Sequence, residues 1–447
     1  MYSSLLLPDL REMLKDNDTQ ALSEFCNALH PAVIAEVISE LKSKAAWKVL
    51  SNCSSERTAE ILRFLELPDQ VELVGVIDRQ PLSQLIEVMA PDDRVDLLSR
   101  MDPDRVENLL PLIAQAERSD IRKLLSYPED SAGAIMTTEY ASLPEDITVG
   151  EALDQLRLQA PDSETIYYIF ITDEGRRLRG IVSLRDLILA KPGTLLSAIM
   201  FRDVISVRVD DDQELVVREL ARFDFLAIPV IDNQYRLVGI VTHDDAVDIL
   251  QEEATEDAHR QAAVEPLEDS YLSTNLPTII WKRGFWLVPL LGAGFLTAWV
   301  LRQYEYISEA YEWFNWFLPL IIASGGNAGS QSATLIIRAM AIEEMDRHDI
   351  IKMIKRELVV AMMLALGLMT LGYLIATVFF SREQAEVVAT TIFLVVLMGT
   401  TIGALIPLLF RKLGMDPALM SNPLLAAIVD VFGAVIYCTV VIILLMS

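Results

Sequence analysis

From residue 1 to about residue 128, apolar residues recur at helical spacing in short segments. HPAVIAEVISEL from His30, APDDRVDLLSRM from Ala90 and DPDRVENLLPLI from Asp102 each open on a Pro or Asp start signal. Apolar residues then follow three and four apart, the pattern of amphipathic helices. Its loose repetition predicts an all-α superhelix of stacked helix pairs. From about 131 to 250 the pattern changes and occurs twice. AIMTTEYASLPEDITVGEALDQL, then IYYIFITDEGRRLRGIVSLRDLI, is matched by AIMFRDVISVRVDDDQELVVRELARF, then LAIPVIDNQYRLVGIVTHDDAVDIL. Each copy reads as helix, strand, strand, helix, with β-branched runs divided by the turns DEG and DNQ. An acidic helix, DDAVDILQEEATEDAHR, follows from Asp244. The last third holds five apolar spans, approximately Gly284 to Leu301, Trp313 to Ile337, Leu358 to Phe380, Val387 to Phe410 and Asn422 to Met446. About 20 residues rising about 1.5 Å each cross a hydrocarbon core of roughly 30 Å, so these predict a bundle of five transmembrane helices.

Composition sharpens this division. The chain is 52% hydrophobic, yet its formal net charge is −27. From Tyr271 onward it carries 12 acidic and 11 basic residues, so all but one of the net negative charges precede that point. An acidic first part argues against nucleic acid and for cations as partners. The three cysteines form no paired framework, and the four scattered histidines argue against a zinc-type site. The start has no basic n-region, so no signal peptide is expected and the first part should stay in the cytosol. Basic residues gather before the first span (Lys282, Arg283), between the second and third (Arg338, Arg347, Lys352, Lys355, Arg356) and between the fourth and fifth (Arg411, Lys412). The positive-inside rule then gives a cytoplasmic N-terminus and an external C-terminus, with Trp299, Trp313 and Trp316 at the outer interface.

Candidate chemistry concentrates on oxygen ligands. Asp430 lies about seven residues past Pro423, roughly 10 Å into the fifth span. A carboxylate facing lipid costs at least ~2.5 kcal/mol, so it should face protein, water or a cation. It is the only acid inside the five spans as drawn. The second span holds PLIIASGGNAGSQSATL, in which Gly325, Gly326 and Gly329 serve either a packing seam or irregular backbone, with Asn327, beside a permeation path. GALIP at Gly403 to Pro407 suggests a break in the fourth span, and DPALMSNP a structured lead-in to the fifth. Asp92 and Asp96 share one helix face, as a cation site or as first-turn acids that complement the helix dipole. Asp244, Asp248 and Glu252 form an i,i+4 row beside Asp245, with little Lys or Arg interleaved, which suits Mg²⁺ or Ca²⁺.

Two resemblances follow from these motifs. The duplicated region resembles a tandem CBS-domain pair, a module that often binds adenine nucleotides between its copies. Ser183 with Arg185 and Asp186, and Thr242 with Asp245, hold the matching positions, where capping of a helix start would use the same residues. The whole chain resembles the MgtE family of Mg²⁺ channels, on PLIIASGGNAGSQ, GALIP, DPALMSNP, AAIVDVFG and DDAVDILQEEATEDAH. The resemblance implies a multidomain membrane protein. It would comprise a helical cytosolic N domain over 1–128, an α+β CBS pair over 129–250, an acidic connecting helix over 251–280 and a transmembrane domain over 281–447. It implies a homodimer in the bacterial inner membrane with a pore on its two-fold axis. Asp430 would hold hydrated Mg²⁺ there, with Asp416, Asn422 and Asn327 nearby. Implied regulatory Mg²⁺ ligands are Glu60, Asp92, Asp96, Asp212, Glu214, Asp224, Asp245, Asp248, Glu253, Glu256 and Asp257. ATP would be a regulatory ligand at Tyr168, Ser183, Arg185 and Asp186.

The charge argument fits such gating. Two carboxylates about 6 Å apart repel by roughly 3 kcal/mol at an effective dielectric near 20, and a bound divalent cation reverses the sign. An ion-coupled secondary transporter of divalent cations and a membrane-bound nucleotide sensor are the alternatives. A single intramembrane acid disfavours the first, and the second leaves Asp430 unexplained. No nucleophile–base pattern or phosphate loop points to an enzyme.

Overall fold

The computed structural model describes residues 2–267, 271–342, 347–419 and 422–446. It divides into two units, Met1–Glu252 and Glu253–Ser447.

The first unit begins with two interleaved rows of helices. In one, α1 (Tyr2–Asp16) packs on α3 (Pro31–Ile38), which packs on α5 (Ser55–Leu62) and that on α7 (Arg79–Val88). In the other, α2 (Thr19–Ala28), α4 (Ser43–Leu50), α6 (Leu67–Gly75), α8 (Pro91–Arg100) and α10 (Gln115–Leu124) follow one another, with α9 (Pro103–Leu109) between the last two in sequence. This is the expected superhelix. Proline opens α3, α8 and α9, where its missing N–H costs nothing. Leu22, Ile34, Leu50, Ile61, Leu82 and Ile86 form one continuous core between the rows.

The duplicated region folds into two three-stranded sheets, ordered β1-β2-β3 and β4-β5-β6. In the first, β1 (Tyr140–Pro144) runs parallel to β2 (Thr165–Thr172), which pairs antiparallel with β3 (Leu178–Ser183). In the second, β4 (Val207–Arg208), β5 (Ala227–Ile231) and β6 (Leu237–Thr242) repeat the arrangement. Each copy therefore has one strand more than the helix–strand–strand–helix expectation. YASLP and VR are short and carry a Pro or a charge, which hides them from a β-propensity reading. Helices α11 (Val149–Gln159), α12 (Leu184–Leu189) and α14 (Gln213–Phe223) complete the pair.

The copies also interlock. Thr137, just past the first AIM, exchanges backbone hydrogen bonds with Ile240 of the second sheet, and Phe201, just past the second AIM, with Ile181 of the first. A side chain on Gly239 would strike Met136 Sδ at 2.6 Å, and one on Gly180 would strike Met200 Sδ at 2.8 Å. Each AIM segment thus packs on the sheet of the other copy. The acidic helix α15 (His243–Gln261) starts directly after β6 and runs unbroken past residue 250.

The second unit holds five long helices among the described residues: α16 (Leu276–Gln303), α18 (Phe314–Ile342), α19 (Arg347–Phe379), α20 (Arg382–Lys412) and α21 (Asn422–Val441), with the short α17 (Glu305–Ala310). Four of these are long and apolar enough to cross a membrane: α16, α19, α20 and α21 with its π-helical end to Met446. The Ser/Gly/Asn/Gln stretch keeps α18 below that apolarity. Helices α16 and α19 begin before the expected spans, so Glu357 lies inside α19.

Neither expected irregularity exists. Helix α18 is continuous through its glycines, and α20 continues through Pro407. Packing explains both. A Cβ on Gly399 would sit 2.4 Å from the Gly325 carbonyl oxygen, and one on Gly403 would sit 2.2 Å from that of Gly329. Two glycine pairs bring α18 and α20 into backbone contact, which is the packing-seam reading. Buried Pro407 costs its helix one hydrogen bond close to its end, within a helix clamped by that seam. Tyr437 of α21 closes the other end, stacked 4.4 Å from Phe314 and donating to its carbonyl at 3.0 Å. DPALMSNP begins with a 3₁₀ turn at Pro417–Leu419; its Met420 and Ser421 lie outside the described residues.

Candidate cation sites

In the first unit, α5, α8, β2 and α15 converge on one acidic cluster. Helix α8 presents Asp92 and Asp93 in its first turn and Asp96 one turn on. Glu164 leads into β2, and Asp244, Asp245 and Asp248 open α15. Thr242, the last residue of β6, puts its hydroxyl 2.5 Å from Asp244 Oδ1 and 2.6 Å from Asp245 Oδ2. One hydroxyl hydrogen serves only one of them at a time. Arg63, at the end of α5, reaches in beside Asp93 and Asp244, and Arg100 of α8 adds positive field at Asp96 and Glu252. The Arg63 guanidinium lies 3.3 Å from Asp244 and 4.0 Å from Asp93.

The electrostatics are those of a site short of positive charge. Burial, then Asp245, Asp93 and Glu164, hold Asp92 well above the ordinary carboxylate range. Its Oδ1 is buried without a hydrogen-bond partner. Asp93, Glu164, Asp245 and Glu252 are also raised, first by burial and then by neighbouring acids. Asp96 is pushed up to about 7 by burial against its neighbours, Asp93 and Glu252. Its residue surface nevertheless remains open to solvent, which screens part of that crowding. Asp244 goes the other way: burial opposes its ionisation, but Thr242, its own backbone amide and Arg63 outweigh that and hold it low.

The remaining predicted regulatory residues are dispersed. Glu60 pairs with Arg57 at 2.5 Å. Asp212 caps the start of α14, accepting from the Glu214 amide at 2.8 Å, and Asp224 ends that helix in a left-handed conformation. In the second unit, Glu256 and Asp416 both ion-pair with Arg260, and Asp257 adds to the field around it. Glu253 lies on α15 four residues before Asp257. Among the described residues, no three His, Cys, Asp or Glu side chains stand together as a ready-made chelate. Carboxylates so arranged suit a hydrated hard cation, which keeps several waters, better than a dehydrated one.

In the helical bundle, Asp430 of α21 faces α18. A methyl group on Gly326 would lie 3.7 Å from its Oδ1, and no described residue hydrogen-bonds the carboxylate. Asn422, opening α21, is tied to α18 through Thr334 at 3.2 Å and Ser330 at 3.5 Å. Asn327 is exposed. Sequence reading missed Glu357, which accepts from buried Ser332 of α18 at 2.8 Å. It stands one residue outside the span drawn from hydropathy. A charge at a span boundary was the available signal.

At the nucleotide-candidate positions, Tyr168 and Ser183 face each other across β2 and β3. Ser183 caps α12, accepting from the Asp186 amide at 3.1 Å and donating to its carboxylate at 2.6 Å, with Arg185 exposed beside them. The capping role is thus realised.

Three family models match. The MgtE divalent cation transporter model covers residues 318–440, the MgtE intracellular N domain 29–130, and the CBS domain 132–193 and 196–252. The magnesium transporter MgtE of Thermus thermophilus is 40% identical over 441 residues, 97% of each chain. That of Bacillus subtilis is 32% identical over 426 residues, 95% of this chain and 94% of its own. Among solved structures, the cytosolic domain of the Mg²⁺ channel MgtE in complex with ATP is 40% identical and aligns at a TM-score of 0.53, spanning 55% of this chain and 100% of that one. The chain belongs to the MgtE family of magnesium transporters.

Proposed function

We propose that this chain is a Mg²⁺-selective uptake channel, closed from the cytosolic side when Mg²⁺ binds its acidic cluster. The observation that carries the reading is Asp430, a carboxylate two turns into an apolar helix, beside a glycine and without a hydrogen-bond partner among the described residues. In a homodimer with its axis along the pore, two such carboxylates face each other and attract a divalent cation that keeps its water shell. Asn422, Asp416 and Asn327 line the approach. The exposed apolar faces of α16 and α19 supply surface for lipid and for the second copy. All five long helices span the bacterial inner membrane, with the N-terminus in the cytosol and the C-terminus outside.

The acidic cluster is the feedback sensor. Without a cation, its carboxylates repel and are held together by protons and Arg63. Mg²⁺ supplies two charges and oxygen coordination, and biases the first unit toward its packed form. The buried, unpartnered Oδ1 of Asp92 fits such an ion. Glu60, Asp96, Asp212, Glu214, Asp224, Asp248, Glu253, Glu256 and Asp257 extend the acidic surface on which further ions act once two copies meet. The domain organisation is an N domain over 1–128, the CBS pair over 129–250, a connecting segment over 251–280 and the membrane domain beyond. The solved relative in complex with ATP supports ATP as a regulatory ligand near Tyr168, Ser183, Arg185 and Asp186.

The test is Mg²⁺ flux into vesicles as a function of Mg²⁺ on the side of the first unit. Flux should close as that concentration rises, and Asp245→Asn with Asp248→Asn should leave the channel open. Closure unchanged in that double variant would refute the sensor, and flux driven by a proton gradient in place of the Mg²⁺ gradient would refute the channel.

A further inference from the structure

The acidic cluster contains one component that the sensing reading does not require, an arginine. Arg63 extends from the end of α5 to Asp93 on α8 and Asp244 on α15, so it joins the helical superhelix to the second CBS-like copy. Glu164 and Asp245 also lie within its field. Its contacts are single and long, 3.3 and 4.0 Å, in contrast to the two-pronged grip arginine makes on a dedicated carboxylate partner. The guanidinium is more than a third exposed, and the Asp244 side chain 63%. The arrangement is therefore a loosely held positive charge amid an excess of carboxylates. A divalent cation entering the same space meets that charge as a repulsion.

We propose that Arg63 is a built-in counter-cation that sets how much Mg²⁺ the cluster needs. The inference rests on the sensing reading above. Without Mg²⁺, Arg63 draws α8 and α15 together and keeps the first unit partly packed. When Mg²⁺ binds, it competes with that charge, which weakens its affinity and moves the response to higher concentration. A brace that merely held the fold would act in the opposite direction, because its loss would weaken the packed, Mg²⁺-bound form.

The experiment is limited proteolysis of the full-length protein in lipid nanodiscs, titrated with MgCl₂ at constant ionic strength. Arg63→Gln should be cut faster than wild type without Mg²⁺, yet reach protection at roughly threefold to tenfold lower Mg²⁺. Arg63→Lys keeps the charge at a site with no two-pronged geometry to lose, so its midpoint should stay within about twofold of wild type. The control Asp245→Asn should need more Mg²⁺. An Arg63→Gln midpoint that is unchanged or higher, while Asp245→Asn responds as stated, overturns the role of Arg63 and leaves the sensor standing. If Mg²⁺ does not protect the wild type at all, the sensing reading fails and this inference fails with it.

Discussion

Gly326 on α18 and Asp430 on α21 stand so close that a methyl group on the glycine would lie 3.7 Å from the carboxylate oxygen. It would also lie 3.4 Å from the Cβ of Ala426. A methyl therefore fits, and a branched side chain does not. Gly326→Ala should transport near wild-type rates, whereas Gly326→Val should lose most Mg²⁺ flux while still folding and reaching the membrane. Flux through vesicles with matched protein content checks this. Equal flux in the two variants would show that the space beside Asp430 is not on the ion's path.

The seam between α18 and α20 makes a stability prediction. A Cβ on Gly403 would lie 2.2 Å from the Gly329 carbonyl oxygen, which is backbone and has little freedom to yield. Gly403→Ala should lower stability by about 1–3 kcal/mol, the usual cost of overpacking. Thermal unfolding in detergent measures it. Gly284→Ala and Gly292→Ala, inside α16 where a Cβ meets nothing within 4 Å, are the controls and should hold or raise the midpoint.

The cluster around Asp92 should make packing of the first unit depend on pH. Asp92, Asp93, Asp96, Asp245, Glu164 and Glu252 all titrate above their ordinary range when packed. A raised pKa means that protonation favours the packed form. That contribution is complete below the unperturbed value of 3.8 for Asp and is lost as pH rises toward the value of about 7 for Asp96. Asp244, held low, acts in the opposite sense, but it is one largely exposed group. Without Mg²⁺, protease resistance should therefore fall as pH rises from about 4 to about 7, and saturating Mg²⁺ should flatten the curve by replacing protons.

In the second unit, Arg260 ion-pairs with both Glu256 on its own helix and Asp416 in the turn before α21. On the proposed reading Asp416 lines the ion's approach, and Arg260 then competes with the cation for that carboxylate. Arg260→Ala should raise Mg²⁺ flux when the sensor is unsaturated, and Asp416→Ala should lower it. If the two residues act through each other, the double variant departs from the sum of the single effects. Additive effects would separate Arg260 from Asp416.

Much of this architecture is legible before any coordinates. Asp430 stands out because a carboxylate in an apolar helix is expensive wherever it lands. The superhelix follows from Pro-started repeats, and the sheets from a duplication. What fails does so for local reasons. GALIP reads as a break, because helix propensity counts the isolated Gly403 and Pro407 and cannot see the Gly329 carbonyl of α18 packed against Gly403. The exchange of the two AIM segments is invisible, since a repeat in sequence says nothing of which copy each part joins. Arg63 is hidden by separation: its partners lie 30 and 181 residues further along the chain. Read along α15, the acidic row meets its own arginine only in the last turn, at Arg260; in space, Arg63 adds charge at the row's start. Glu357 falls outside a span whose edge was drawn where hydropathy rises, although the helix continues through it.

The central claim is that Asp430 carries the ion. Its most direct test is Mg²⁺ flux into vesicles containing purified Asp430→Asn, a substitution that keeps the shape beside Gly326 and removes the charge. Mg²⁺ flux should fall by about two orders of magnitude or more, the factor that corresponds to about 3 kcal/mol of lost attraction for the hydrated ion, with protein yield and Mg²⁺-dependent protection of the first unit unchanged. Wild-type flux from that variant would contradict the claim.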